Sequence, residues 1–215
     1  MHAETRGLFD PSIRTSLERH GYDRTFAEIV EFTGPSATVE VGPTPGLDGL
    51  EISGNWVRLA DNLSIDLGGI GKGLAADIVA GANSAYVSLG GDIHAAGEPV
   101  DGNGWLVPLL HPTTGEPIDH HPLYSGALVM STVTIRRWTR GDTEHLHIID
   151  PRSGRPADTD LLVVAVADQT AARGEALAKA AIIAGSSEGA SLLRGANVKA
   201  WMISLDRVHV VQEPE

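Results

Sequence analysis

The 215-residue sequence predicts an α+β fold, and three observations carry the prediction. Short apolar and β-branched runs are mixed with helical segments, without the regular strand–helix–strand alternation of a doubly wound sheet. One Ala-rich helical stretch, 170–184, directly follows a β-branched run, 161–167. With 42% hydrophobic and 20% charged residues, the chain can bury a core without covalent staples, in one large domain over 1–215 or in two small lobes.

Asp10-Pro11 opens the first helix, because Asp is a favoured cap and Pro suits the first helical position. Ile13 and Leu17 share one face, and Gly21 is the stop. Residues 33–55 are rich in Gly and Pro, with a strand-like piece at 38–41. Trp56–Leu59 and 64–66 read as short strands, 74–80 as helix and 85–89 as a buried strand ended by Gly90-Gly91-Asp92. Trp105–Leu110 and 123–130 are further strands. A polar stretch, 136–144, follows. Thr170 to 184 is helical, Gly185 its stop, and 188–194 a shorter helix. Residues 200–204 and Val208–Val211 form a terminal hairpin.

Composition excludes several classes of function. There is no cysteine, hence no disulfide, Cys-ligated zinc, iron–sulfur cluster or thiol catalysis. A net charge of −12 opposes general nucleic-acid binding. No run of apolar residues is long enough for a membrane-spanning helix. The start, Met1-His2-Ala3-Glu4, lacks the apolar core of a secretion signal. A cytoplasmic location is expected if Met1 is the true start, an extracytoplasmic one if a segment precedes it.

Four segments could carry chemistry. Asp66-Leu67-Gly68-Gly69-Ile70-Gly71-Lys72-Gly73 places four glycines and a lysine before a helix, where free N–H groups favour an anion. It matches neither standard phosphate motif, since Asp66 and Gly73 break the Walker spacing and Leu74 the Rossmann spacing. A phosphate cradle and a glycine turn packing strand on helix both fit. Gly90-Gly91-Asp92 is a tight turn or a ligand-facing one. In His147-Ile148-Ile149-Asp150-Pro151-Arg152-Ser153-Gly154, His147 is a proton acceptor or a half-buried strand residue. Glu175 and Lys179, four apart, share a helix face, as an exposed ion pair or a site pair. His111, His120 and His121 in a Pro-rich stretch read as solvated tips. Arg136-Arg137 either meet a phosphate or lie at the surface.

Taken in order, these segments resemble the ApbE family of FAD:protein FMN transferases. Residues 66–73 match its Asp-Leu-Gly-Gly-Ile-Ala-Lys-Gly run with Gly71 in place of Ala. Residues 89–92 match Leu-Gly-Gly-Asp, and 147–154 match His-Ile-Ile-Asp-Pro-x-x-Gly in full. Gly7-Leu8-Phe9-Asp10-Pro11 is similar to its Gly-Ala-Phe-Asp-Pro. The resemblance implies a T-fold-related arrangement of mixed sheets packed with helices, in two lobes around a flavin cleft. It implies FAD as substrate, magnesium as helper, and an acceptor flavoprotein whose Thr or Ser receives FMN. It places Asp66, Gly68, Gly69, Lys72, Gly73, Gly90, Gly91, Asp92, Ser131 and Thr132 at the FAD site. His147, Asp150 and Lys72 are then catalytic, and Gly71, Glu175 and Lys179 stand at the metal position. A non-catalytic FAD-binding relative and an FAD pyrophosphatase releasing FMN and AMP are the alternatives.

The sequence departs from the family in three places. Glu175 replaces an Asp, and Lys179 stands where the family has a metal-binding Thr. An ammonium has no lone pair for a metal, which puts the magnesium in question. Lys179 is instead expected to pair with Glu175 and reach toward the pyrophosphate. Ser131-Thr132-Val133 keeps hydroxyls but loses the glycine of Thr-Ser-Gly. The family's usual N-terminal segment, which contacts the flavin ring, is not in this sequence, so an open flavin site or an earlier start is expected.

Overall fold

The computed structural model describes residues 1–31, 40–83, 85–97, 99, 102 and 104–211, with backbone only at 31, 82 and 83. In chain order, a 3-10 turn (Pro11–Ile13) runs into α1 (Arg14–Arg19), and α2 (Phe26–Glu31) follows. Next come β1 (Leu50–Ser53), β2 (Trp56–Leu59), α3 (Gly71–Asn83), β3 (Tyr86–Leu89), β4 (Asp92–Ala95), β5 (Trp105–Leu110) and β6 (Pro117–Leu123). Then follow β7 (Gly126–Thr132), β8 (Arg137–Arg140), β9 (Thr143–Leu146), β10 (Ile149–Asp150), β11 (Arg155–Pro156) and β12 (Val163–Asp168). α4 (Ala171–Gly195), β13 (Lys199–Ile203) and β14 (Val208–Val211) complete the order. The class is the expected α+β.

The frame is a six-stranded sheet in the order β14-β13-β12-β7-β4-β3, every neighbouring pair antiparallel. Side chains alternate across its two faces. Val129, Val164, Val166, Ala200 and Met202 point into the core beneath α4. Leu128, Ala165, Ala167 and Trp201 point the other way, onto Val107, Leu109 and Leu123 of the β5–β6 hairpin. Both faces are covered, which is why 161–167 reads as an unbroken apolar run rather than an alternating one. Trp201 is fully buried and donates from Nε1 to Asp119 Oδ2 at 2.7 Å, tying the hairpin to the sheet.

α4 lies close on the sheet because Gly174 has no side chain: a Cβ there would sit 2.8 Å from Val129 Cγ2. Thr170 caps it, its hydroxyl accepting from Arg173 N at 3.4 Å. Asp77 of α3 accepts from Ala171 N and Ala172 N at 2.7 and 3.0 Å. This satisfies two otherwise free N–H groups and locks α3 to the start of α4. The helix breaks at Gly185, as expected, with φ 77 and ψ 177. The N–H of Ser186 is taken by Asp160 Oδ1.

The first helix also forms as expected: Asp10 Oδ1 accepts from Ser12 N at 2.8 Å, and Gly21 turns with φ +92. Other expectations need correction. Residues 64–66 form no strand, because Asp66 N donates to Pro11 O and Asp66 Oδ1 accepts from Gly68 N, a turn instead. The strand near 85–89 is not buried: β3 is a sheet edge, and Tyr86 and Ser88 are exposed. The strand placed at 123–130 is displaced, since Leu123 ends β6 and β7 begins at Gly126. Thr38 and Val39 of the piece at 38–41 lie outside the described residues, and Glu40-Val41 are in no strand. His120 and His121 belong to β6, where His121 meets the Trp201 ring at 5.3 Å. The polar stretch 136–144 contributes the hairpin β8–β9, whose Trp138 is buried while Arg137 and Glu144 pair outside.

Candidate functional site

A cleft of about 300 Å³ opens between the N-terminal turn, the start of α3, the end of β7 and the turn at 147–154. Leu8, Phe9, Ile13, Leu17, Ile148 and Ile183 give it an apolar wall. Asp66, Gly68, Gly69, Lys72, Gly90, Ser131, Thr132, His147 and Lys179 also line it, so the structure gathers these expected residues at one place. Gly71, Gly73, Gly91, Asp92, Asp150 and Glu175 are not on its wall. A wider groove of about 970 Å³ runs past Asp168, Thr170 and Arg173 but holds none of the motifs.

The cleft is backed by a compact charge cluster. Lys72 Nζ lies 2.5 Å from both Asp92 Oδ2 and Glu175 Oε1. Lys179 Nζ reaches the same Glu175 Oε1 at 3.0 Å and Ser131 Oγ at 3.5 Å. Glu175 Oε2 accepts from Gly73 N at 3.0 Å. Glu175 is wholly buried, so the exposed-ion-pair reading of Glu175 and Lys179 does not hold. Burial raises the Glu175 pKa, but Lys179 and Lys72 outweigh it and the net shift is downward. Asp92 is raised, chiefly by burial and also by Glu175. For Lys72 the two carboxylates outweigh burial and the pKa rises, whereas burial wins at Lys179 and its pKa falls.

Local backbone explains how these side chains meet. Gly73 presses against the first turn of α4, where a Cβ would lie 2.7 Å from the Ala171 carbonyl, so its N–H faces Glu175 rather than the cleft. Gly69 leaves the space that the Lys179 stem crosses, with Lys179 Cε 3.3 Å from a notional Cβ. Gly90 at φ +60 similarly passes the Lys72 stem. Asp92 backs the cleft rather than lining it, holding Lys72 through Oδ2 and Met130 N through Oδ1 at 3.3 Å.

The donors present do not suit a divalent ion. Glu175 Oε1 already bears two ammonium groups, and Oε2 an N–H. An ion bonded there would sit near each lysine, at a repulsion of about 4 kcal/mol per unit of charge at 4 Å and an effective dielectric of about 20. Among the described residues no group of three or more His, Cys, Asp or Glu is placed to hold a metal. Gly71 is the first residue of α3 and faces open space at its Cα.

His147 is held neutral: burial first, then Arg136 and Lys179, lower its pKa to about 4. Its Nδ1 is buried without a hydrogen-bond partner. No hydrogen bond joins Asp150 to it. Its carboxylate grips Arg152 N at 2.9 Å and the Arg152 side chain, and its carbonyl accepts from Gly154 N, shaping the turn after β10. Thr132 Oγ1 donates to Leu162 O at 3.0 Å. Of the arginine pair, Arg136 lines the cleft and donates to Tyr22 Oη at 3.2 Å, while Arg137 pairs with Glu144 outside. Phe9 and Tyr22 of the wall were not among the expected site residues. The Gly-Leu-Phe-Asp-Pro opening was the only signal for the first, and nothing local marked the second.

Known proteins are similar to this chain. Curated proteins called FAD:protein FMN transferase match it in Vibrio cholerae (26% identity over 189 residues, 79% of this chain and 57% of that protein). The counterpart in Rhodobacter capsulatus matches at 27% over 220 residues, 98% of this chain and 42% of that protein. The chain thus spans about half the length of these relatives. Its fold is that of the solved ApbE protein from Thermotoga maritima (TM-score 0.79, 23% identity, 100% of this chain and 74% of that one). The flavin transferase ApbE from Vibrio cholerae gives a TM-score of 0.74 at 23% identity over 97% of this chain and 70% of that one. The ApbE family model itself matches residues 1–202, covering the glycine loop, both lysines and the histidine turn, and the chain therefore belongs to the ApbE family.

Proposed function

We propose that the chain carries the FAD-handling site of an FAD:protein FMN transferase. The observation that bears most weight is the meeting, in one apolar-walled cleft, of two ammonium groups and a neutral histidine with an unpartnered ring nitrogen. In this reading the flavin end lies against the wall built by Phe9, Leu17 and Ile183, and the diphosphate faces Lys72 and Lys179. The cleft lies at the small end of ligand pockets, so the adenosine half extends beyond it.

The reaction is a phosphoryl transfer, in which the protein positions groups and balances charge. The acceptor Thr or Ser hydroxyl attacks the phosphorus of the FMN half, the bridging P–O bond breaks, and AMP leaves. Magnesium, which supplies charge neutralisation in such chemistry, has no fitting donor set here, and no step is assigned to it. His147 takes the hydroxyl proton. Its low pKa makes it a weak base in the empty cleft. A diphosphate beside it would offset the fields of Arg136 and Lys179, two of the causes that depress it, and raise its basicity. Asp150 keeps the turn that presents it, and Lys72 offsets charge on the leaving phosphate.

The test is incubation with FAD and an acceptor protein carrying a Thr-containing target segment. Covalent flavin fluorescence on the acceptor is the expected result. FMN and AMP release without transfer would make water the acceptor, and FAD binding without turnover would make the chain a flavin-holding relative. The ammonium at the metal position favours the latter over the pyrophosphatase. No FAD binding would overturn all three.

A further inference from the structure

We infer that Lys179 is a built-in cation, which together with Lys72 forms a metal-free subsite for a diphosphate, with Glu175 as the carboxylate that positions both lysines. The two ammonium groups converge on one oxygen, Glu175 Oε1. Each ammonium has three N–H donors. Lys72 gives two of its own to Asp92 and Glu175, Lys179 two of its own to Glu175 and Ser131, and each keeps one. Both side chains line the cleft. The remaining donors are charged hydrogen-bonding groups within reach of the cleft, and a diphosphate, with an acceptor set on each phosphorus, is a ligand class that two such donors fit.

The surroundings are shaped for the lysine. The stem of Lys179 crosses the space left by Gly69, packed beside Phe9, and the head is held at Glu175, whose other oxygen is fixed by Gly73 N. Glu175 is thus a positioning residue. It sets where the two charges stand, and the lone pairs of its Oε1 are spent on them. A smaller side chain at 179 would leave a gap at Gly69 and free one lone pair of Glu175, and a hydroxyl there would supply a second oxygen donor.

The inference uses the cleft assigned above to FAD, and the tests separate the two. Inorganic diphosphate is titrated calorimetrically in EDTA, and Mn2+ binding is followed by electron paramagnetic resonance. The wild-type chain is expected to bind diphosphate in EDTA and to take up no Mn2+ that depends on Glu175. Lys179→Met should weaken diphosphate binding by about tenfold or more, the loss of one charged hydrogen bond. Lys179→Thr should gain a Mn2+ site that Glu175→Gln then removes, and its diphosphate binding should come to depend on Mn2+. The inference falls if wild type binds Mn2+ through Glu175, if it binds no diphosphate in EDTA, or if a folded Lys179→Met binds it as wild type does. The wild-type measurements decide even if the variants fail to fold. Binding of diphosphate but not FAD would sink the flavin reading and leave this one standing. FAD binding only with Mn2+ would do the reverse.

Discussion

The two faces of the six-stranded sheet are covered by different materials. On one side the β5–β6 hairpin meets Leu128, Ala165 and Trp201 in an apolar layer, with a polar anchor at Asp119. On the other, α3 and α4 bring an apolar core, but the start of α3, the start of β4 and the first half of α4 enclose two lysines and two acids between them. The hairpin face contributes stability through area removed from water. The helical face gives up part of that gain by burying charge, and the cluster is kept because each charge has a partner. Both sides of the sheet thus hold the fold together, and the helical side also carries the charge cluster.

Breaking each side should therefore look different. Glu175→Ala leaves two partly buried ammonium groups without their shared carboxylate and should cost about 3–5 kcal/mol by urea unfolding, with loss of FAD binding. Trp201→Ala should cost a similar amount, about 3–5 kcal/mol, through a cavity. Whatever fraction remains folded should bind FAD as wild type does, and weakened FAD binding would show that the two faces are coupled. Gly174→Ala pushes a methyl into Val129 and should cost about 1–3 kcal/mol while tilting α4 and disturbing the lysines. Asp119→Asn keeps the shape but weakens the Trp201 bond, and about 1 kcal/mol is expected with no change at the cleft.

Acid should weaken the fold in a defined window. The folded pKa of His147 is depressed to about 4, below its unfolded value, so the unfolded chain binds more protons between those limits. Its contribution is complete above about pH 6.5 and is lost as pH falls toward 4. Burial lowers His20 and His145 as well, and they act in the same sense. Urea midpoints measured from pH 7 down to pH 4 should fall, and His147→Phe should flatten part of the slope.

Much of this frame was legible in the sequence. α4 announced itself through Thr170, the Ala-rich run and Gly185, since caps and breaks are local signals. The hairpin β8–β9 did not, because its four-residue strands mix charged and polar residues with the inward Trp138, His145 and Leu146 and give no clean alternation. The tight turns at Gly90 and around Asp150 were readable, but which way they faced was not. Lys72 was marked by its glycines, yet its partners lie 20 and 103 residues away, and no spacing rule joins them. The expected pairing of Lys179 with Glu175 was local, four residues on a helix, and the structure has it. That Lys72 shares the same oxygen depends on how α3 packs against α4, which is tertiary information.

The break at Gly185 divides α4 into two stretches with different freedom. In the stretch from Thr170 to Gly185, angular phase is fixed: one inserted residue before Glu175 would swing it by about 100° about the helix axis, away from Lys72. Beyond Gly185 the chain restarts its helix with a new anchor at Asp160, so phase errors there are not carried back. Length variation should therefore be tolerated after Gly185 and not before it. The kink makes α4 a short ruler fixed at one end, with all the graduations that matter between Thr170 and Lys179.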